Sequence, residues 1–373
     1  MKILYENQNI SKELEKHIVE NEVLHPYFDI NFKGVKPKNY CGFLSINNES
    51  YFIAPKIATD DTQNLNIFLY MLIYAYDIEL KNEDLIQGGM EKNHILDIFI
   101  KLFADSLLEE LKRGVFKKYI TLQDNLKVLR GKYIVEKNFS NFYHQNVYCE
   151  FDEFSMDNEL NRFFLYALHY FKRFSNYPNL YRCETILDKV NFFNVDFKKL
   201  NVGFDRMNGR YKKSYEIALM ILQKLVPITE KSSDRSFAFL FKMYDVFEKF
   251  IGKIYINIDS TTHLQYEKNY GNLKLKPDIV TSNIIIDTKY KKISKRDDLD
   301  RNDKYQMFIY GINFDIRDTM LLYPRHLVDI DDSLELGRGK NLVKLKLKSL
   351  DLNFSGGYSE FIEDIKERLE NLI

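Results

Sequence analysis

Apolar positions along this chain change their pattern from one region to the next. Residues 1–90 mix strand and buried-helix signals. CGFLSINNESYFIAPKI (41–57) sets two short apolar runs on either side of Asn47-Asn48-Glu49, the arrangement of a β-hairpin. IFLYMLIYAYD (67–77) is too densely apolar for an amphipathic surface helix and predicts a buried one.

Residues 91–230 read as mainly helical. In 95–114, Ile95, Ile98, Phe99, Leu102, Phe103 and Leu107 recur at helical spacing, with Gly114 placed as a C-cap. Further helices are expected over 157–174, with Asp157 as N-cap, and over 211–226; the stretch 129–155 reads as strand and loop. Pro227 and the polar TEKSSDRS (229–236) suggest a domain boundary. Beyond it, 231–373 mixes helices with several strands and reads as a central mixed sheet flanked by helices. The expected class is α/β (α+β overall), in three parts: a mixed β-containing region 1–90, a mainly helical middle 91–230, and the C-terminal domain 231–373.

Composition narrows the function classes. The chain has 373 residues, with 54 Lys plus Arg against 54 Asp plus Glu, so no global basic field advertises nucleic acid; a local basic face remains compatible with it. Cys41, Cys149 and Cys183 fit no metal-binding spacing, and an odd, sparse set argues for a reducing compartment. The N-terminus turns polar too early for a signal peptide, and the apolar stretch 67–76 is too short to span a bilayer. A cytoplasmic protein without membrane contact is the expectation. GxSxG and HExxH are absent, and the nearest approach to a phosphate-binding GxxxxGK[ST] loop, GRGK at 337–340, has the wrong spacing. The chain itself is therefore expected to bind no nucleotide.

Candidate chemistry concentrates in KPDIVTSNIIIDTKYKK (276–292). Ile279 and Val280 end one strand, Thr281-Ser282-Asn283 turns, and Ile284 to Tyr290 form a second strand rich in β-branched residues. Alternation along that strand points Asp287 and Lys289 to one side and Thr288 and Tyr290 to the other. The hairpin returns Asp278 to the side of Asp287. Two carboxylates so close repel, and one would take up a proton unless a cation lay between them. Mg²⁺, with Mn²⁺ able to substitute, suits such hard oxygen ligands; it would polarise a phosphate and acidify a water, with Lys289 orienting that water or stabilising phosphorane charge. Alone, a PD dipeptide is a turn and a DxK triplet a solvated strand edge; their hairpin spacing gives the pair its weight.

Two flanking segments extend the site. FAFLFKMYDVFEKFIGKIY (237–255) reads as an amphipathic helix, with Glu248 either a surface charge or a third acidic group for the metal. RNDKYQMFIYGI (301–312) reads as a helix with Gln306 and Tyr310 one turn apart on one face, able to contact a phosphate or the metal's waters. The expected catalytic set is Asp278, Asp287, Lys289, Glu248, Gln306 and Tyr310; the expected metal set is Asp278, Asp287, Glu248 and Thr288. The charged loop 289–301 is a solvated loop with some prospect of touching DNA, diluted by Asp297, Asp298 and Asp300.

The order helix-Glu, PD, DxK, QxxxY resembles the PD-(D/E)xK nuclease superfamily, and the residues around it resemble one branch, the McrC family of McrBC restriction systems. FLFKMYDVFEKFI (239–251) is similar to that family's M-x-x-x-F-E-x-F helix. GFLSINNESYFIAPKI (42–57), ending in Pro55-Lys56, is similar to its N-terminal hairpin. Tyr119 with Leu129-Arg130-Gly131-Lys132 is similar to its Y…L-R-G-K segment, and Asp157 with Asn161 to its D-E-x-x-x-D-x-x-x-N segment. The resemblance implies a restriction-endonuclease-like C-terminal domain that cuts double-stranded DNA. It also implies a partner: an AAA+ GTPase ring, McrB-like, whose hydrolysis this chain stimulates. The helical segment 91–135 is the part expected to enter that ring, and self-association through the nuclease domain is compatible with the family. Two other functions stay open on the residues alone: a self-contained nuclease of repair or of a mobile element, and a ring activator with a vestigial nuclease domain.

Overall fold

The computed structural model describes residues 1–372 except 48, 56, 58–59, 79–94, 143–144, 198, 201, 229–235, 294 and 326–328. The chain divides into two compact units, residues 1–92 with 224–373, and residues 93–223.

The first unit opens with strand β1 (Lys2–Tyr5), helix α1 (Lys12–Glu20) and a small hairpin, β2 (Phe28–Asn31) and β3 (Gly34–Pro37). The hairpin expected over 41–57 follows as β4 (Tyr40–Ile46) and β5 (Glu49–Ala54), with Asn47 in the left-handed region at its turn. Asn48 and Lys56 of that stretch lie outside the described residues. The buried helix is α2 (Asp61–Ala75), whose residues from Ile67 to Ile73 are all buried. One face of the sheet packs Leu44, Ile46 and Ile53 against Leu14 and Ile18 of α1. The other stacks Phe43 on Phe52, with Phe52 next to Phe68 of α2.

The second unit has the expected helices, but strand begins at Lys118 rather than near 129. Helix α3 (Ile95–Lys112) ends at Gly114, whose φ of 121° suits a glycine cap. A three-stranded antiparallel sheet follows, from β6 (Lys118–Leu126), β7 (Lys132–Tyr133), a single turn α4 (Val135–Phe139), and β8 (Val147–Ser155) between the other two strands. Among its described residues the segment 91–135 is thus helical over Ile95–Lys112 and again only at Val135, where α4 starts. None of β6 is buried and only Cys149 and Phe151 of β8 are, so the apolar period that marks a helix does not operate there. Gly131, at φ 70°, lets β7 lie against β8: a Cβ there would stand 2.2 Å from the Glu150 carbonyl oxygen.

Helices α5 (Glu159–Phe171), α6 (Pro178–Ile186) and α7 (Lys212–Lys224) complete this unit around buried Phe99, Phe103, Phe163, Phe164 and Phe171. The N-cap of α5 is Asn158, not Asp157. Its side chain accepts from the Asn161 amide, while Asp157 forms a two-pronged pair with Arg162 at 2.7 and 2.8 Å.

The return to the first unit overturns the boundary expected near 231. After β9 (Leu225–Pro227), residues expected to begin a helix form strand β10 (Phe237–Lys242), and only then does helix α8 (Met243–Ile258) start. Strand β10 lies between β4 and β9 in a five-stranded sheet of order β1-β5-β4-β10-β9. Phe237 to Phe241 are all buried, so the strand shows a continuous apolar run that periodicity cannot tell from helix. The N-terminal region and the C-terminal domain are consequently one unit. Within it the Tyr290 hydroxyl donates to Glu6 Oε1 at 2.7 Å, and the Tyr70 hydroxyl to the Gly356 carbonyl at 3.1 Å.

A six-stranded mixed sheet carries the rest: β11 (His263–Leu264), then, beyond a side hairpin β12 (Lys268–Tyr270) and β13 (Leu273–Leu275), β14 (Ile279–Val280) and β15 (Ile284–Thr288). Helix α9 (Arg301–Asn313) crosses to β16 (Asp318–Pro324), followed by β17 (Asp331–Leu336), β18 (Val343–Leu350) and the final helix α10 (Tyr358–Glu370). The order is β11-β14-β15-β16-β18-β17, with β15, β16 and β18 parallel. Met307 and Tyr310 of α9 pack with Ile285, Leu321 and Leu345. Phe250 of α8 stacks on Phe361 of α10 at 5.8 Å. The expected α/β class, with a central mixed sheet flanked by helices, holds.

Candidate active site

The hairpin places the acidic pair as its spacing predicts. Ile279 pairs with Ile286, so one further step along the ladder sets Asp278 beside Asp287. Strand β15 ends at Thr288, two residues earlier than expected, yet the Lys289 amide still donates to the Leu322 carbonyl at 2.9 Å and stays in line with the sheet. Asp278 and Asp287 are 6% and 2% exposed, which is uncommon for carboxylates and demands partners.

Those partners are specific. Asp278 Oδ2 accepts from the Thr288 amide at 2.8 Å and from the Thr288 hydroxyl at 2.9 Å. Strand alternation alone puts Thr288 on the side away from Asp287; the end of β15 brings its hydroxyl to Asp278 instead. Lys289 Nζ lies 2.5 Å from Asp287 Oδ2 and donates to Gln306 Oε1 at 3.1 Å. Gln306 in turn donates to the Tyr310 hydroxyl at 3.0 Å, and that hydroxyl donates to the Lys276 carbonyl at 3.2 Å. Helix α9 therefore fixes the lysine from one side.

Helix α8 supplies the third carboxylate. Gln265, just past β11, donates its side-chain amide to Glu248 Oε1, and to Asp278 Oδ1 at 3.2 Å. One amide thus joins the two acids. All six expected catalytic residues, with Thr288, fall into two bonded groups that meet where Asp278 lies beside Asp287.

The charges are unbalanced. Burial, then Asp278, Asp245 and Asp287, push the Glu248 carboxyl up to about 7. Asp278 is raised by burial against the pull of its Thr288 hydrogen bonds, and Asp287 by burial and by Asp278 against Lys289. Burial works against the Lys289 ammonium, but Asp287, Asp303 and Asp278 together raise it, so it stays charged. Tyr244, one turn before Glu248, is raised by burial and then by Asp278, Asp287 and Glu248.

Among the described residues, no three or more His, Cys, Asp or Glu side chains are gathered closely enough to hold an ion as they stand. The donor chemistry nonetheless fits a hard divalent cation. Mg²⁺ needs only one or two carboxylates with water completing its shell, and it would relieve the repulsion that raises these acids.

Comparison with known proteins settles the family. A family model described as the McrBC 5-methylcytosine restriction system component matches residues 35–324. The chain belongs to the McrBC family. A chain of the Thermococcus gammatolerans tetradecameric assembly of McrB AAA+ hexamers with bound McrC is 19% identical with a TM-score of 0.63, over 100% of this chain and 99% of that one. A chain of the Thermococcus gammatolerans McrBC complex is 22% identical with a TM-score of 0.50, over 68% of this chain and 87% of that one. These likenesses establish the McrBC fold, and they agree with the McrC resemblance read from the sequence. No curated protein matches the chain. Among the described residues, no helix is long and apolar enough to cross a membrane.

The McrBC motifs do not reveal every residue of the network. Gln265 and Asp303 belong to it and lie outside the predicted set. Asp303, 9% exposed, lies 3.8 Å from Lys289 Nζ and also pairs with Lys291. Only Asp303 has a local cue, three residues before Gln306 on the same helix.

Proposed function

We propose that this chain is the DNA-cleaving subunit of a modification-dependent restriction complex. It would hydrolyse phosphodiester bonds in double-stranded DNA with Mg²⁺, or Mn²⁺, held by Asp278, Asp287 and Glu248. The observation that carries this reading is the buried acidic group joined to a lysine: Asp278 and Asp287 side by side, Glu248 tied to Asp278, and Lys289 fixed by Asp287 and Gln306. A bound divalent cation supplies Lewis acidity toward a phosphate oxygen and acidifies water.

The chain's own residues do the rest. Lys289 brings positive charge to where negative charge grows as a phosphate is attacked, and its two fixed partners hold it there before substrate arrives. Gln306 and Tyr310 orient the lysine. Thr288 spends its hydroxyl and amide on Asp278 and so supports the metal set by holding that carboxylate. A vestigial nuclease would have no need of this complete network, because separated acids on the surface cost the fold less.

The partner in this reading is a McrB-like AAA+ GTPase ring, whose hydrolysis the chain stimulates. Its support is the likeness to a chain from the Thermococcus gammatolerans assembly, in which McrB AAA+ hexamers bind McrC. In this reading the ring-entering part is the β6–β8 sheet, whose β6 and β7 lie inside the expected segment 91–135; Phe139 and Phe142, between β7 and β8, are 88% and 93% exposed. Self-association through the nuclease sheet and a cytoplasmic location belong to the same proposal.

The test combines purified chain, its AAA+ partner, GTP, Mg²⁺, and methylated or unmethylated plasmid. Wild type should cut, and Asp278→Ala and Asp287→Ala should fall by orders of magnitude while GTP hydrolysis is still stimulated. Undiminished cutting by both variants would reduce the hairpin to a structural feature.

A further inference from the structure

Gln265 holds a position that neither the hairpin nor its flanking helices account for. Its φ is +50°, in the left-handed region that few side chains adopt. Its backbone amide donates to the Asp278 carbonyl at 2.8 Å, so the same residue is tied to Asp278 through backbone as well as side chain. Its side-chain amide faces Glu248 Oε1 and Asp278 Oδ1 together. Such a backbone conformation persists where the surroundings enforce it, and these clusters favour functional sites.

The alternatives for this side chain are poor. Asp278 already receives two hydrogen bonds from Thr288 on Oδ2, so its burial does not require a third donor. Glu248, on a different element, has no lysine or arginine ion-pair partner among the described residues. Among the described residues, Gln265 is the side chain that hydrogen-bonds the Glu248 carboxylate and ties it to Asp278. An amide is suited to that task because it donates to both acids without bringing a competing positive charge.

We propose that Gln265 is a positioning residue that holds Glu248 and Asp278 together as a preformed pair of oxygen donors for a divalent cation. The inference rests on reading the acidic group as a cation site. Outer hydrogen-bond partners of metal ligands typically set affinity by orienting the ligand, and losing one costs about 10- to 100-fold in binding.

Two variants separate the side chain from the backbone. Gln265→Gly and Gln265→Asn both tolerate a left-handed φ, and neither places an amide within reach of both acids. Mn²⁺ binding to the full chain would be measured by titration calorimetry, with thermal melts recorded alongside without metal. Both variants should melt near the wild-type temperature yet bind Mn²⁺ about 10-fold or more weakly. Unchanged or tighter Mn²⁺ binding in a folded variant overturns the proposal, the tighter result meaning that the amide occupies the cation's place. Asp278→Asn, run in parallel, tells the two readings apart. If it too binds Mn²⁺ as wild type does, the cation site itself is wrong; if it loses binding while the Gln265 variants keep it, only the role of Gln265 fails. A drop in melting temperature without a change in affinity marks a purely structural residue and also overturns the proposal.

Discussion

Lys289 Nζ stands 2.5 Å from Asp287 Oδ2 while Asp287 is only 2% exposed, so the central lysine of the site is fastened to the most deeply buried of its acids. Adjacent positions on one strand face cannot by themselves hold a long side chain. Gln306 and Asp303 of helix α9 confine it further, at 3.1 and 3.8 Å. The lysine's charge is thus kept in place by partners on two elements.

Lys289→Met should therefore abolish most cutting, and should also destabilise the fold, since it leaves buried Asp287 without its ion partner. The expected loss is roughly 10²- to 10³-fold in cleavage rate with the partner ring, GTP and Mg²⁺ present, as for removal of a preorganised charge-stabilising donor. Gel-based plasmid cleavage measures it. A variant cutting at the wild-type rate would remove Lys289 from the chemistry.

The acidic group makes metal-free stability depend on pH in an unusual direction. The Glu248 carboxyl has its ordinary value of 4.5 in the unfolded chain and about 7 in the fold. Between those values the folded state binds more protons than the unfolded one, so stability declines as pH rises through that window. Asp278 and Asp287, both raised, act in the same sense. Thermal melts in chelator should therefore give a lower melting temperature at pH 8 than at pH 5.5. Mg²⁺ should recover more of it at pH 8, and Glu248→Gln should flatten the profile. A melting temperature that climbs steadily to pH 8 without metal would contradict the raised carboxyls.

The second unit exposes apolar side chains that its own packing does not use. Phe139 and Phe142 bury little surface, so changing both to Ser should cost the isolated chain almost nothing in stability. If the β6–β8 sheet enters the partner ring, the double variant should lose most stimulation of GTP hydrolysis. Full stimulation by the variant would place the ring contact elsewhere.

Gly131 answers for the close approach of β7 to β8. Gly131→Ala must place a Cβ against the Glu150 carbonyl at a left-handed φ, and should destabilise the sheet by about 1–3 kcal/mol. Hydrogen exchange should quicken over 118–155 and remain unchanged in the nuclease sheet. Equal exchange in both forms would show that the backbone there adapts without cost.

Sequence by itself determined what depends on covalent neighbours. The 41–57 hairpin and the Asp278, Asp287 and Lys289 cluster were legible because period-two alternation and a short turn fix which side chains share a face, and the buried helix read over 67–77, observed over 61–75, because its apolar run is too dense for a surface helix. Gln306 and Tyr310 were legible from the helical period, being one turn apart on one face. Tertiary structure alone decided the rest. Phe237–Lys242 became a strand because β4 and β9 bury it on both sides, and an apolar run carries no period from which to read that. That strand merged the two ends of the chain into one unit and removed the boundary expected near 231. Gln265 could not be recognised in advance, since its meaning comes from Glu248 and Asp278, 17 and 13 positions away, which only the folding of α8 and β14 onto β11 brings to one amide. Local spacing specifies which chemical groups the site contains; the packing of distant segments specifies which groups hold them.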